Sequence, residues 1–66
     1  MSTILINKLK QFQTFRFDMS NRCVVNLNST KEVNFDDFFE ISHILDTSYF
    51  KYKIDNNLNI IILDKK

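Results

Sequence analysis

From Asn34 to Leu45 the apolar positions recur with the period of an α-helix. At 100° per residue, Phe35, Phe38, Ile41 and Leu45 fall on one stripe, and Phe39 and Ile44 widen it on either side. Asp36, Glu40 and His43 fall on the opposite face. Asn34 is a suitable N-cap, and Asp36 and Asp37 place negative charge on the first turn, where unpaired amides and the helix dipole favour it. The apolar arc covers more than half the circumference, more than one sheet face requires, so a further surface is expected to cover the remainder. A second helical stretch opens the sequence. Ser2 can cap a helix to about Phe12, with Ile4, Leu5, Leu9 and Phe12 on one side and Ile6 at its edge. A strand over residues 3–9 competes, because Ile-Leu-Ile favours β structure.

From Thr14 the period drops to two. Phe15, Phe17 and Met19 alternate with Arg16 and Asp18, and Cys23, Val25 and Leu27 alternate with Val24 and Asn26. A three-residue loop of Met19, Ser20 and Asn21 would pair Phe17 with Cys23 and Phe15 with Val25, with Asp18 opposite Arg22 and Asn21 in the left-handed position. A two-residue loop would set Phe17 across from Val24 and mix the faces. After Asp46 and Thr47 the alternation returns in residues 49–54 and 58–63. A loop of Asp55, Asn56 and Asn57 would pair Ile54 with Leu58, Tyr52 with Ile60 and Phe50 with Ile62, with Asn57 left-handed. Lys65 and Lys66 read as a solvated tail.

Phe15 to Asn21 and Phe50 to Asn56 align at a spacing of 35 residues, each preceded by an amphipathic helix and followed by an apolar strand. This predicts one small α+β domain over residues 1–66. It is a four-stranded, mostly antiparallel sheet of two hairpins with two helices on one face, in the order αββαββ. If residues 3–12 are not helical, the order is ββαββ with an extended arm.

Size, composition and charge each change this picture. A domain of this size buries only about 60% of its unfolded surface and commonly depends on a staple or a partner. One cysteine rules out an internal disulfide, and Cys23 and His43 alone cannot close a zinc site, so a homodimer is expected. Gly, Pro, Ala and Trp are absent while Asn, Ile, Lys and Phe abound, the signature of an AT-rich genome. Turns needing φ > 0 must therefore use residues with a side chain. The net charge of +1 disfavours a strongly basic nucleic-acid binder. Locally, residues 1–25 carry +3, residues 26–48 carry −4 and residues 49–66 carry +2. An acidic helix between two basic ribbons is explained by self-complementarity. The runs Ile4–Ile6 and Ile60–Leu63 are too short to span a bilayer, and no secretory pattern is present, so a cytoplasmic address (the host-cell cytoplasm if viral), no membrane association and a reduced Cys23 are expected.

No catalytic, cofactor-binding or metal site is expected. Glu40 precedes His43 by one turn, but an exposed Glu beside an exposed His explains the pair without chemistry. Cys23 is expected to face the core, and phosphate loops built on glycine are excluded. The aromatics Phe15, Phe17, Phe50 and Tyr52 are expected in the core. The outer sheet face would then hold Arg16, Asp18, Arg22, Tyr49, Lys51 and Lys53, with Val24, Ile61 and Leu63 between them. The leading expectation is a non-enzymatic protein–protein interaction module, such as a phage or mobile-element inhibitor or a small accessory subunit. Its interface would comprise Val24, Phe39, Ile44, Tyr49, Ile61 and Leu63. The alternative is a small nucleic-acid-binding protein with Arg16, Arg22, Lys51 and Lys53 as phosphate contacts.

Overall fold

The starts of both helices are set by their caps. Ser2 Oγ accepts from the Leu5 amide at 3.2 Å, and Asn34 Oδ1 accepts from the Asp37 amide at 3.0 Å. The computed structural model describes residues 1–65. In order they form α1 (Thr3–Leu9), β1 (Phe15–Asp18), β2 (Cys23–Asn26), α2 (Phe35–Thr47), β3 (Phe50–Ile54) and β4 (Ile60–Lys65). The strands make one antiparallel sheet in the order β1-β2-β4-β3. The expected αββαββ architecture is present, as two αββ halves joined through β2 and β4 at the centre.

One core lies between the helices and the inner sheet face. Leu5 and Leu9 of α1 and Phe38, Ile41 and Leu45 of α2 pack with Phe15, Phe17, Val24, Phe50, Ile60 and Ile62 from the strands. Val33, in the connection between β2 and α2, joins them. The helices bury narrower stripes than their sequence patterns suggest. α1 stops at Leu9, so only Leu5 and Leu9 are buried, while Ile4, 100° from Leu5, is 71% exposed. Phe35 and Phe39 lie on the flank of α2, 53% and 63% exposed, and stack on one another with centroids 5.8 Å apart. Lys65 ends β4 with its Nζ 5.5 Å from the Phe50 ring centroid, and Lys66 lies outside the described residues.

Both hairpin loops are longer than expected, with different consequences. The first has four residues. Asp18 accepts from the Asn21 amide and from Asn21 Nδ2, and the left-handed residue is Arg22 (φ 50°), not Asn21. Asp18 therefore pairs with Cys23 and Phe17 with Val24, one residue off the expected register. That shift turns β2 over: Val24 is fully buried, while Cys23 and Val25 face outward. The second loop runs from Asp55 to Asn59, with Leu58 left-handed (φ 61°) in place of Asn57. Ile54 pairs with Ile60 and Tyr52 with Ile62, a shift of two that leaves every side chain on its expected face. The Phe50–Lys65 pair is offset by an irregularity between Phe50 and Tyr52.

A third left-handed residue, Tyr49 (φ 62°), follows the α2 C-cap Ser48 and donates its amide to the Asp46 carbonyl at 3.2 Å. Glycine or asparagine is the usual occupant of that position, since a Cβ in the left-handed region costs roughly 1 kcal/mol. Two outcomes follow from this geometry. Val24→Ala should lower the unfolding free energy by about 1–3 kcal/mol and Val25→Ala by under about 1 kcal/mol, and equal losses in urea titrations would contradict the register. Tyr49→Asn should gain about 0.5–1 kcal/mol by relieving the backbone, read as a melting temperature higher by several degrees.

Candidate functional site

With both helices on the inner face, no element covers the outer face of the sheet among the described residues. Its composition follows from the register. Asp18 pairs with Cys23, Cys23 with Ile61 and Ile61 with Lys53, forming one row across all four strands. One level away, Arg16 pairs with Val25. Cys23, Val25 and Ile61 are half-buried and Leu63 is 38% exposed. The face is thus an apolar strip on β2 and β4, bordered by Arg16 and Asp18 on one edge strand and by Lys51 and Lys53 on the other.

The six residues expected at an interface do not form one surface. Ile61 and Leu63 lie on this strip. Val24 is a correction, because the turned-over β2 buries it completely against the core. Ile44 is half-buried and packs on the core beneath α2. Phe39 belongs to the helical layer, and Tyr49, 70% exposed, sits at the turn between α2 and β3. In place of Val24 the strip contains Cys23 and Val25, which a three-residue loop would have placed inward. The signal for them was Asp18 three residues before Asn21, a side-chain turn that holds four loop residues and not three.

The four candidate phosphate contacts are likewise dispersed. Arg16 lies on β1 and Lys51 and Lys53 on β3, the two edges of the sheet, about 14 Å apart at the usual strand spacing. Arg22 is engaged within the chain: its Nη2 donates to the Leu63 carbonyl at 3.0 Å and its Nη1 stands 3.8 Å from Asp64. Its own carbonyl accepts from the Ile62 amide at 2.8 Å and extends the β2–β4 ladder.

The groups with chemical potential are not assembled. Glu40 and His43 are both exposed on α2, and no hydrogen bond or ion pair joins them among the described residues. Partial burial raises the Cys23 thiol pKa, and the negative charges of Asp55 and Asp18 add to the effect, so the protonated thiol is favoured over the nucleophilic thiolate. Among the described residues no three His, Cys, Asp or Glu side chains converge as a metal ion would need. No helix in that range is long and apolar enough to cross a membrane. The surface clefts are open to solvent: one of about 390 Å³ is lined by Met1, Ile6, Met19 and Arg22, and one of about 400 Å³ runs along β1 between Phe12, Phe15, Phe17 and Leu27.

Asp55 fixes the loop at the other end of the strip. Its carboxylate accepts from the Asn57 and Asn59 amides, each at 2.9 Å, and from Asn59 Nδ2 at 3.0 Å. Asn59 Oδ1 in turn accepts from the Asn26 amide at 2.8 Å, tying the second loop to β2. The Asn59 amide, then its side chain, hold Asp55 below its ordinary value of 3.8, and Asn21 does the same for Asp18. A carboxylate depressed in the folded state stabilises it above the unfolded pKa and loses that contribution as pH falls through the folded value. The urea midpoint should therefore fall as pH drops below 3.8, and Asp55→Asn should lower it at neutral pH and flatten the acid limb. An acid limb as steep in Asp55→Asn as in the parent would contradict this assignment.

Comparison with protein-family models, with curated proteins and with solved structures finds no match for this chain.

Proposed function

We propose that this chain is a non-enzymatic protein-docking module, an inhibitor or a small accessory subunit, which binds a protein chain on the outer face of its sheet and acts by docking or steric occlusion. The observation that carries this reading is the strip of Cys23, Val25, Ile61 and Leu63, four apolar side chains on a sheet face with no helix over it. Strands that are apolar on both faces suit a sheet covered on both sides. A contiguous exposed apolar patch bordered by charge is the usual form of a protein interface. The AT-rich composition and small size accord with a phage or mobile-element origin. The nucleic-acid reading has weaker support, because its cations stand on opposite sheet edges and Arg22 already has partners within the chain.

The test is retention of protein on the tagged chain from host lysate, with and without nuclease, at low and high salt. Bound protein should survive both treatments and be lost, by about tenfold or more, from Ile61→Lys with its circular dichroism unchanged. Capture by Ile61→Lys equal to the parent would overturn the docking surface. Recovery that disappears with nuclease, or falls with salt by about one counterion per neutralised phosphate, would transfer the assignment to nucleic acid.

A further inference from the structure

Resting on the docking reading of the outer sheet face, we propose that its occupant is a second copy of this chain, packed face to face about a two-fold axis parallel to the strands. The order of charges across the sheet selects this occupant. The row Asp18–Cys23–Ile61–Lys53 runs from negative on β1 through two apolar residues to positive on β3. One level along, the edges carry the reverse signs: Arg16 stands on β1, and Asp55 continues the outward series of Lys51 and Lys53 at the end of β3. A two-fold axis along the strands keeps each level and exchanges left with right. It lays Asp18 of one copy over Lys53 of the other, Arg16 over Asp55, and Cys23 over Ile61. Every charge on these two levels meets its opposite, twice over by symmetry, and the apolar strip closes on itself at the axis.

This is what an isologous interface requires, a patch complementary to its own rotated image. The inner half of a two-sheet sandwich has the same form, with sheets about 10 Å apart and aligned within about 30°. The 30 × 21 Å cross-section of the molecule limits the face to roughly 600 Å² per protomer, near the lower bound for a specific contact. An interface of this size belongs with transient contacts, so the dimer is reversible and not obligate. It leaves both helical layers outward.

The test is sedimentation equilibrium of the purified chain from about 1 µM to 1 mM. The parent should move from monomer to dimer over this range. D18K sets a lysine against Lys53 of the second copy and K53E sets a glutamate against its Asp18, so each alone should weaken assembly about tenfold. An equimolar mixture of the two should recover it, because the mixed dimer pairs opposite charges at both positions. Should D18K fail to fold, R16E, which opposes Asp55 of the second copy, must weaken assembly as much as K53E does. A parent that stays monomeric throughout, variants that assemble as the parent does, or a folded pair that does not recover on mixing would overturn the proposal. If the parent is monomeric but Ile61→Lys still loses lysate capture, the second copy is excluded while the docking surface stands; unchanged capture removes both.

Discussion

The pairing of β2 with β4 is the contact on which the rest of the molecule depends. Among the described residues it is the ladder that joins the two αββ halves, and it is short: Cys23 opposite Ile61, Val24 opposite Ile60, and the Arg22 carbonyl accepting from Ile62. Val24 and Ile60 meet there fully buried in the common core, so the centre of the sheet is also part of the core. Outside the ladder, Asn26 is held by Asn59 and the Asn57 carbonyl, and Arg22 reaches the Leu63 carbonyl. These contacts lock the register at both ends of the junction. Register at this point decides which side chains enter the core and which remain outside.

A chain with no glycine must build its turns by other means. Asp18 and Asp55 each fold their carboxylate back onto asparagine groups of their own loop, and these bonds fix loop length. Left-handed backbone then falls on Arg22, Tyr49 and Leu58, which carry full side chains. For Leu58 the cost is offset by packing, since its side chain lies against the core. Arg22 has its guanidinium bonds to β4 as compensation. Tyr49 is largely exposed and has neither.

What was legible in the sequence and what was not divides along the same physical line. Periodicity and capping identified both helices, the Asn34 and Ser2 caps, and the order of elements, because those signals are local. The inward set Phe15, Phe17, Phe50, Tyr52, Ile60 and Ile62 was also legible, since the second hairpin's error was an even number of residues. The orientation of β2 was not. Cys23, Val24 and Val25 are all apolar, so the segment has no alternation from which to choose a face, and the turn that makes the choice is a side-chain hydrogen bond between Asp18 and Asn21. An odd shift there exchanged Val24 for Cys23 and Val25 on the candidate surface. Ile4 and Phe35 were misplaced for a different reason: a helix lying on a small sheet buries about three positions per two turns, fewer than its apolar residues suggest.

The ambiguity of β2 and β4 is itself informative. A sheet with one wet face ordinarily alternates apolar and polar residues, and such alternation fixes register strongly. Cys23–Val25 and Ile60–Leu63 give up that signal, and the chain must recover register from loop carboxylates and the Asn59 bridge. Edge strands β1 and β3 keep the alternation, with Arg16, Asp18, Lys51 and Lys53 outward, as edges exposed to solvent do. The departure is therefore confined to the two strands at the centre of the open face. Had that face only to meet water, polar outward residues on β2 and β4 would specify the fold better. Their apolar character costs local specificity, and that cost is the physical ground on which the proposed second protein layer over the strip rests.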